Sequence, residues 1–100
     1  MITTKHLNQM RHAVGFYSDN PGYRNNFHTS PEDYIWIDLK EWGFAEGGIE
    51  RLGSFYYWVS ELGKELIGLE DQIRFTKGLQ EKHSEEISYI EETYEIDLDY

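Results

Sequence analysis

Ser30-Pro31-Glu32-Asp33-Tyr34-Ile35-Trp36-Ile37-Asp38-Leu39-Lys40-Glu41-Trp42-Gly43 leads into Phe44-Ala45-Glu46-Gly47-Gly48-Ile49-Glu50-Arg51-Leu52-Gly53, and then into Ser54-Phe55-Tyr56-Tyr57-Trp58-Val59-Ser60-Glu61-Leu62. The first stretch carries helix-start chemistry. Ser30 is an N-cap residue, Pro31 suits the first helical position, and Glu32 and Asp33 favour the positive end of the helix dipole. A helix is therefore expected from Ser30 to Trp42, with Ile35, Leu39 and Trp42 on one face and Gly43 as its stop. Residues 44–46 and 54–59 read as two strands, the second from its aromatic and β-branched content, and Gly47, Gly48 and Gly53 lie in the loop between them. Ser60 caps a further helix over 61–67, whose Leu62, Leu66 and Ile67 are expected to face inward.

Upstream, Thr3 or Thr4 can cap a first helix in which Leu7, Met10, Ala13 and Val14 recur at helical spacing, and Gly15 is placed to end it. Asp19-Asn20-Pro21-Gly22 is a turn, and Tyr23-Arg24-Asn25-Asn26-Phe27 reads as an extended or irregular connector. Downstream, Gly68 and Gly78 interrupt residues 68–82 and leave their structure undecided. A helix is favoured again from Ser84, with Ile87, Ile90 and Tyr94 on one side. In Tyr94-Glu95-Ile96-Asp97-Leu98-Asp99-Tyr100, apolar and acidic residues alternate, the pattern of a strand with one buried face or of an acidic peptide that pairs with a partner.

The chain has 100 residues, no cysteine and a formal charge of -10. That length holds one modest core. Without cysteine there is no disulfide, thiolate nucleophile or thiolate zinc site, which fits a reducing compartment, and the cytoplasm is the expected location. No export signal or membrane-spanning run is visible, so no membrane partner is expected. The charge is uneven: residues 1–30 carry +2, residues 31–50 carry -5, residues 51–77 balance, and residues 78–100 carry -7. A balance of this sign opposes a phosphate backbone, whose affinity comes largely from cations that neutralise it. The expected architecture is a small, helix-rich α+β domain over 1–82 with a short antiparallel hairpin, followed by an acidic helix, strand or tail over 83–100.

Two resemblances add to this. Trp42-Gly43-Phe44 and Val59-Ser60-Glu61-Leu62-Gly63-Lys64-Glu65-Leu66 resemble the wing region of winged helix-turn-helix regulators of the MarR type, which implies a winged-helix-like fold for residues 30–67. Arg11-His12-Ala13-Val14-Gly15, Tyr23-Arg24-Asn25-Asn26-Phe27 and Tyr57-Trp58-Val59-Ser60-Glu61-Leu62-Gly63 are similar to short uncharacterised proteins of bacteriophages and prophages. That likeness implies a small protein acting in the host-cell cytoplasm, with no assigned activity.

Catalytic chemistry finds little support in the residues. His6, His12, His28 and His83 lack metal-ligand spacing, no carboxylate pair has diagnostic spacing, and Gly47-Gly48 alone is a turn rather than a phosphate cradle. A non-enzymatic protein without metal or cofactor is expected. Its leading role is to bind another protein with a basic surface, through Tyr34, Trp36, Asp38, Glu41, Tyr56, Trp58, Glu95, Asp97, Asp99 and Tyr100. One version is DNA mimicry that blocks a host nucleic-acid-binding or defence protein. The alternative is a DNA-binding winged-helix regulator using Arg24, Lys40, Arg51 and Lys64. Because strand alternation sets Tyr56 and Trp58 opposite Phe55 and Tyr57, one aromatic face is left for an interface, including that of a homodimer.

Overall fold

The computed structural model describes residues 1–94, with side chains described through residue 81. Helix α1 (Thr4–Val14) leads through a long connection to strand β1 (Phe27–Thr29), which is followed by α2 (Tyr34–Glu41). The hairpin β2 (Ala45–Arg51) and β3 (Ser54–Val59) comes next, and α3 (Glu61–Ile67) and α4 (Leu69–Tyr94) complete the order. The strands form an antiparallel sheet in the order β1-β3-β2. This is a small α+β domain with α1 and α2 packed on one face of a three-stranded sheet.

The local signals of α1 and α3 act as the sequence implies. Thr3 caps α1 and Gly15 ends it at φ +63°, while the Ser60 hydroxyl accepts the Gly63 N–H at the start of α3. Met10, Ala13 and Val14 of α1 meet Ile35, Trp36 and Leu39 of α2, with Ala45, Tyr57 and Val59 from the sheet and Ile67 and Leu69 closing the core. At its centre Trp36 stacks between Phe27 and Tyr57, with ring centroids 5.0 and 5.7 Å away. Such offset stacks add to the burial of apolar area that drives the fold.

Several expectations are corrected. Helix α2 does not begin at Ser30. The Ser30 carbonyl accepts the Asp33 N–H in a turn, and Asp33 is the cap. One Asp33 oxygen accepts the Ile35 N–H at 3.1 Å while the other accepts the Thr29 hydroxyl at 2.6 Å, so the aspartate joins β1 to α2, which Ser30 cannot do. The connector before it ends in a true strand: Phe27, His28 and Thr29 pair with Tyr57, Tyr56 and Phe55. Strand β2 is longer than the expected 44–46, because a bulge between Gly47 and Ile49 carries the ladder to Arg51. The hairpin turn is thus Leu52-Gly53, with Leu52 at φ +51° and fully exposed.

Leu62 and Leu66 of α3 face solvent, while Gly63 and Ile67 face the core. The seven residues of α3 pack against α1, β3 and α4, and Gly63 lies where a Cβ would meet the Phe44 carbonyl and Val59. Gly78 does not break α4, which runs from Leu69 to Tyr94 and holds Ser84 within it rather than as its cap. A single glycine lowers helix propensity without forbidding the conformation. The strand expected over the last heptapeptide lies outside the described residues, apart from Tyr94 at the end of α4.

Candidate partner-binding surfaces

Helix α2 presents two chemically different faces. Ile35, Trp36 and Leu39 point to the core, so Tyr34, Ile37 and Glu41 point away from it; Tyr34 is 58% and Ile37 42% exposed. Trp36, expected as a partner contact, is fully buried. A single helical position, 100° around the axis, separates it from exposed Ile37. Asp38 is half-buried because its Oδ2 lies 3.0 Å from Nε2 of buried His6. The Thr3 N–H donates to His6 Nδ1 at 3.1 Å, so the network assigns the ring proton to Nε2, which donates to Asp38. His6 also replaces the usual glutamate of a capping box and rests 5.0 Å from the Trp42 ring. Lys5 sits 5.6 Å over the Tyr34 ring, which adds a cation at the edge of this surface.

The cation within α2, Lys40, is turned toward the hairpin. Its Nζ donates to the Gly47 carbonyl at 2.8 Å, beside the bulge between Gly47 and Ile49. Below it Tyr57 is buried in the core, and burial, followed by the nearby Asp33 carboxylate, raises the pKa of its phenol above the ordinary 10.0. The folded state therefore holds the Tyr57 proton more tightly than the unfolded chain does. Its contribution to stability is complete below the ordinary value and is lost as pH rises through the folded one. Urea unfolding at about pH 9 and about pH 11 is expected to show this loss in the native chain and a smaller one in Tyr57→Phe.

The other candidate surface is the outer face of the sheet. Tyr56 and Trp58 alternate with inward Tyr57 and Val59 and are half-buried among His28, Ile49 and Glu46. The His28 and Tyr56 rings are 4.0 Å apart, and Trp58 Nε1 donates to Glu46 Oε2 at 3.2 Å. Gly47, at φ +102°, makes that position possible: a Cβ there would lie 2.6 Å from the Tyr56 carbonyl and 2.8 Å from the Trp58 ring. The aromatic and acidic residues expected to form one surface thus divide. Tyr34, Asp38 and Glu41 lie beyond the helical layer, while Tyr56 and Trp58 lie beyond the sheet. Glu95, Asp97, Asp99 and Tyr100 lie outside the described residues.

The basic set is also dispersed. Arg51 is exposed beside the hairpin turn, and Lys40 is tied to Gly47. Arg24 and Lys64 line an open groove of about 610 Å³ floored by Val14, Leu69 and Ile73, together with Glu61, Glu65, Glu70 and Asp71. Both cations already have partners: Arg24 donates to the His12 carbonyl at 2.7 Å and lies over the Tyr23 ring, and Lys64 pairs with Glu61 at 3.0 Å. Among the described residues, no group of three or more His, Cys, Asp or Glu is placed to hold a metal ion. No described helix is long and apolar enough to cross a membrane.

Two residues that organise these surfaces escape sequence reasoning. His6 has no spacing motif; its only trace is its place three residues after the Thr3 cap. For Asn25 the sequence suggests a side chain that bonds backbone in an irregular loop, which it does, but not its partner: the amide bonds both backbone groups of Val59, 34 residues away. Comparison with protein families, curated proteins and solved structures finds no match to this chain.

Proposed function

We propose that this chain is a non-enzymatic accessory protein of the phage type that binds another protein through the solvent face of α2. The observation that carries this reading is the composition of that face. Exposed Tyr34 and Ile37 sit among Glu32, Asp38 and Glu41, while Lys40 is committed to the hairpin. Exposed aromatic and aliphatic anchors rimmed by charge suit a protein interface. The carboxylates select a basic partner surface, such as that of a host nucleic-acid-binding or defence protein, where they would stand in for phosphates. A winged-helix DNA-binding regulator is the second reading, favoured by the hairpin that returns into Ser60-capped α3 and by exposed Arg51 at its turn.

A fluorescence titration of labelled duplex DNA with the full chain, at about 50 and about 200 mM salt, separates the two. No saturable binding is expected at either concentration. Binding that weakens steeply with salt and is lost in Arg51→Glu would overturn the protein-binding reading in favour of the regulator. In the complementary capture from host lysate, Ile37→Glu with Glu41→Lys should lose the specific partner retained by the native chain. A partner held equally well by that variant would move the interface off α2.

A further inference from the structure

His6 is buried, and both of its ring nitrogens are engaged. On one side Nε2 donates to Asp38 Oδ2 at 3.0 Å. On the other, Nδ1 lies 2.7 Å from the Thr3 hydroxyl oxygen, closer than the Thr3 backbone nitrogen at 3.1 Å. With the ring proton on Nε2, Nδ1 can only accept, so the Thr3 hydroxyl donates to it. Thr3 itself is exposed, at the N-cap of α1. A hydroxyl bonded to an imidazole that a carboxylate orients from behind is the arrangement that activates serine and threonine nucleophiles. Capping accounts for only part of it. A capping box needs an acceptor side chain at this position, which glutamate or glutamine supplies. It does not need a buried imidazole, nor a carboxylate 32 residues away on α2 to hold the far nitrogen. The neighbouring Thr4 is also exposed but is not bonded to His6.

We propose that Thr3 is a reactive hydroxyl that takes an acyl group from an activated ester. Thr3 Oγ attacks the carbonyl carbon while its proton passes to His6 Nδ1, and the Asp38 carboxylate offsets the positive charge on the ring. Collapse of the tetrahedral intermediate breaks the bond to the leaving-group oxygen, which takes the proton back from Nδ1. The products are the Thr3 acyl ester and the free alcohol or phenol. The first N–H groups of α1, from Thr4 and Lys5, have no acceptor within the helix, and the helix dipole at that end favours the oxyanion. His6 is the base that handles the reacting proton, and Asp38 is a positioning residue that acts through it. A single acylation requires no turnover, so the site stands or falls independently of the partner reading of α2.

Treatment of the full chain with p-nitrophenyl acetate at neutral pH, followed by peptide mass spectrometry, tests the proposal. Acetyl ester should accumulate on Thr3 about a hundredfold faster than on Thr4. Loosening of the helix end would change both threonines alike, so the ratio of their rates reports the chemistry. His6→Gln separates reactivity from capping. Glutamine keeps the capping box and a donor for Asp38, so this variant should still fold, yet Thr3 should react no faster than Thr4. Asp38→Asn should slow Thr3 by at least about tenfold while leaving Thr4 unchanged. In the same variant, NMR of the His6 ring nitrogens should show the proton no longer fixed on Nε2. Equal rates at Thr3 and Thr4 in the native chain, or a Thr3 rate unchanged by either variant, would overturn the proposal.

Discussion

Replacing Gly63 with alanine is expected to destabilise the protein by about 3 kcal/mol, the upper end for overpacking a core, and to lower its thermal midpoint by roughly 10 to 20 °C. Gly63 is buried in α3 where that helix crosses the start of the hairpin. A Cβ there would lie 2.2 Å from the Phe44 carbonyl oxygen and 2.6 Å from Val59 Cγ1. Neither neighbour can yield cheaply. The Phe44 carbonyl accepts the Ser60 N–H at 3.0 Å, and Val59 is packed in the core against Ala45 across the β2–β3 ladder. Moving α3 outward would disturb the Ser60 cap, whose hydroxyl also donates to the Gly43 carbonyl at 2.6 Å. A domain of this size has about 5 to 15 kcal/mol of total stability, so the loss is a large fraction of it. Differential scanning calorimetry checks the expectation; a midpoint within a few degrees of the native chain would show that α3 moves freely against the sheet.

Asn25→Ala is expected to cost about 2 to 3 kcal/mol, because it strips partners from a buried donor and a buried acceptor together. The β1–β3 register, Phe27 with Tyr57 and Thr29 with Phe55, would place residue 25 opposite Val59 if the strand continued. The backbone has left the ladder by that point, and the Asn25 side chain replaces it. Nδ2 donates to the Val59 carbonyl at 2.9 Å and Oδ1 accepts the Val59 N–H at 2.7 Å. A primary amide has the donor and acceptor needed for both bonds, and few other side chains do. Asn25→Asp keeps the acceptor but turns a carboxylate oxygen toward the Val59 carbonyl, so it should be no more stable than alanine at neutral pH. Urea denaturation measures the overall loss. Hydrogen exchange locates it: the Val59 amide should lose protection by more than the global loss accounts for, and equal loss throughout the sheet would assign Asn25 a different role.

How much can be read from the chain depends on the range of the forces involved. The Thr3, Gly15, Gly43 and Ser60 signals are visible because each satisfies or reverses the backbone within a few residues. The alternation of Tyr56 and Trp58 with Tyr57 and Val59 follows from strand geometry alone. Local reading misplaces the start of α2 because Ser30-Pro31 and Asp33 are both good local starts, and the Thr29 hydroxyl, which belongs to β1, favours Asp33. Strand β1 has three residues and no alternating pattern; it exists because β3 lies beside it. The candidate surface is partly legible for the same reasons. Tyr34 and Glu41 follow from the helical period, but a richly aromatic helix does not reveal which of Tyr34 and Trp36 the core will take.

By itself the sequence determined an α+β domain with helix ends near Thr3, Gly15, Gly43 and Ser60, an aromatic central strand and a strong acidic excess. Those features arise from backbone hydrogen bonding, side-chain period and composition, all local or additive along the chain. The tertiary structure alone decided that Trp36 is buried between Phe27 and Tyr57, that Lys40 caps the Gly47 bulge, that Asn25 completes the β3 ladder and that Gly63 is the point of closest approach. Each of these depends on a partner distant in sequence. Which partner a side chain finds is fixed only when the helices and sheet compete for the same small core volume.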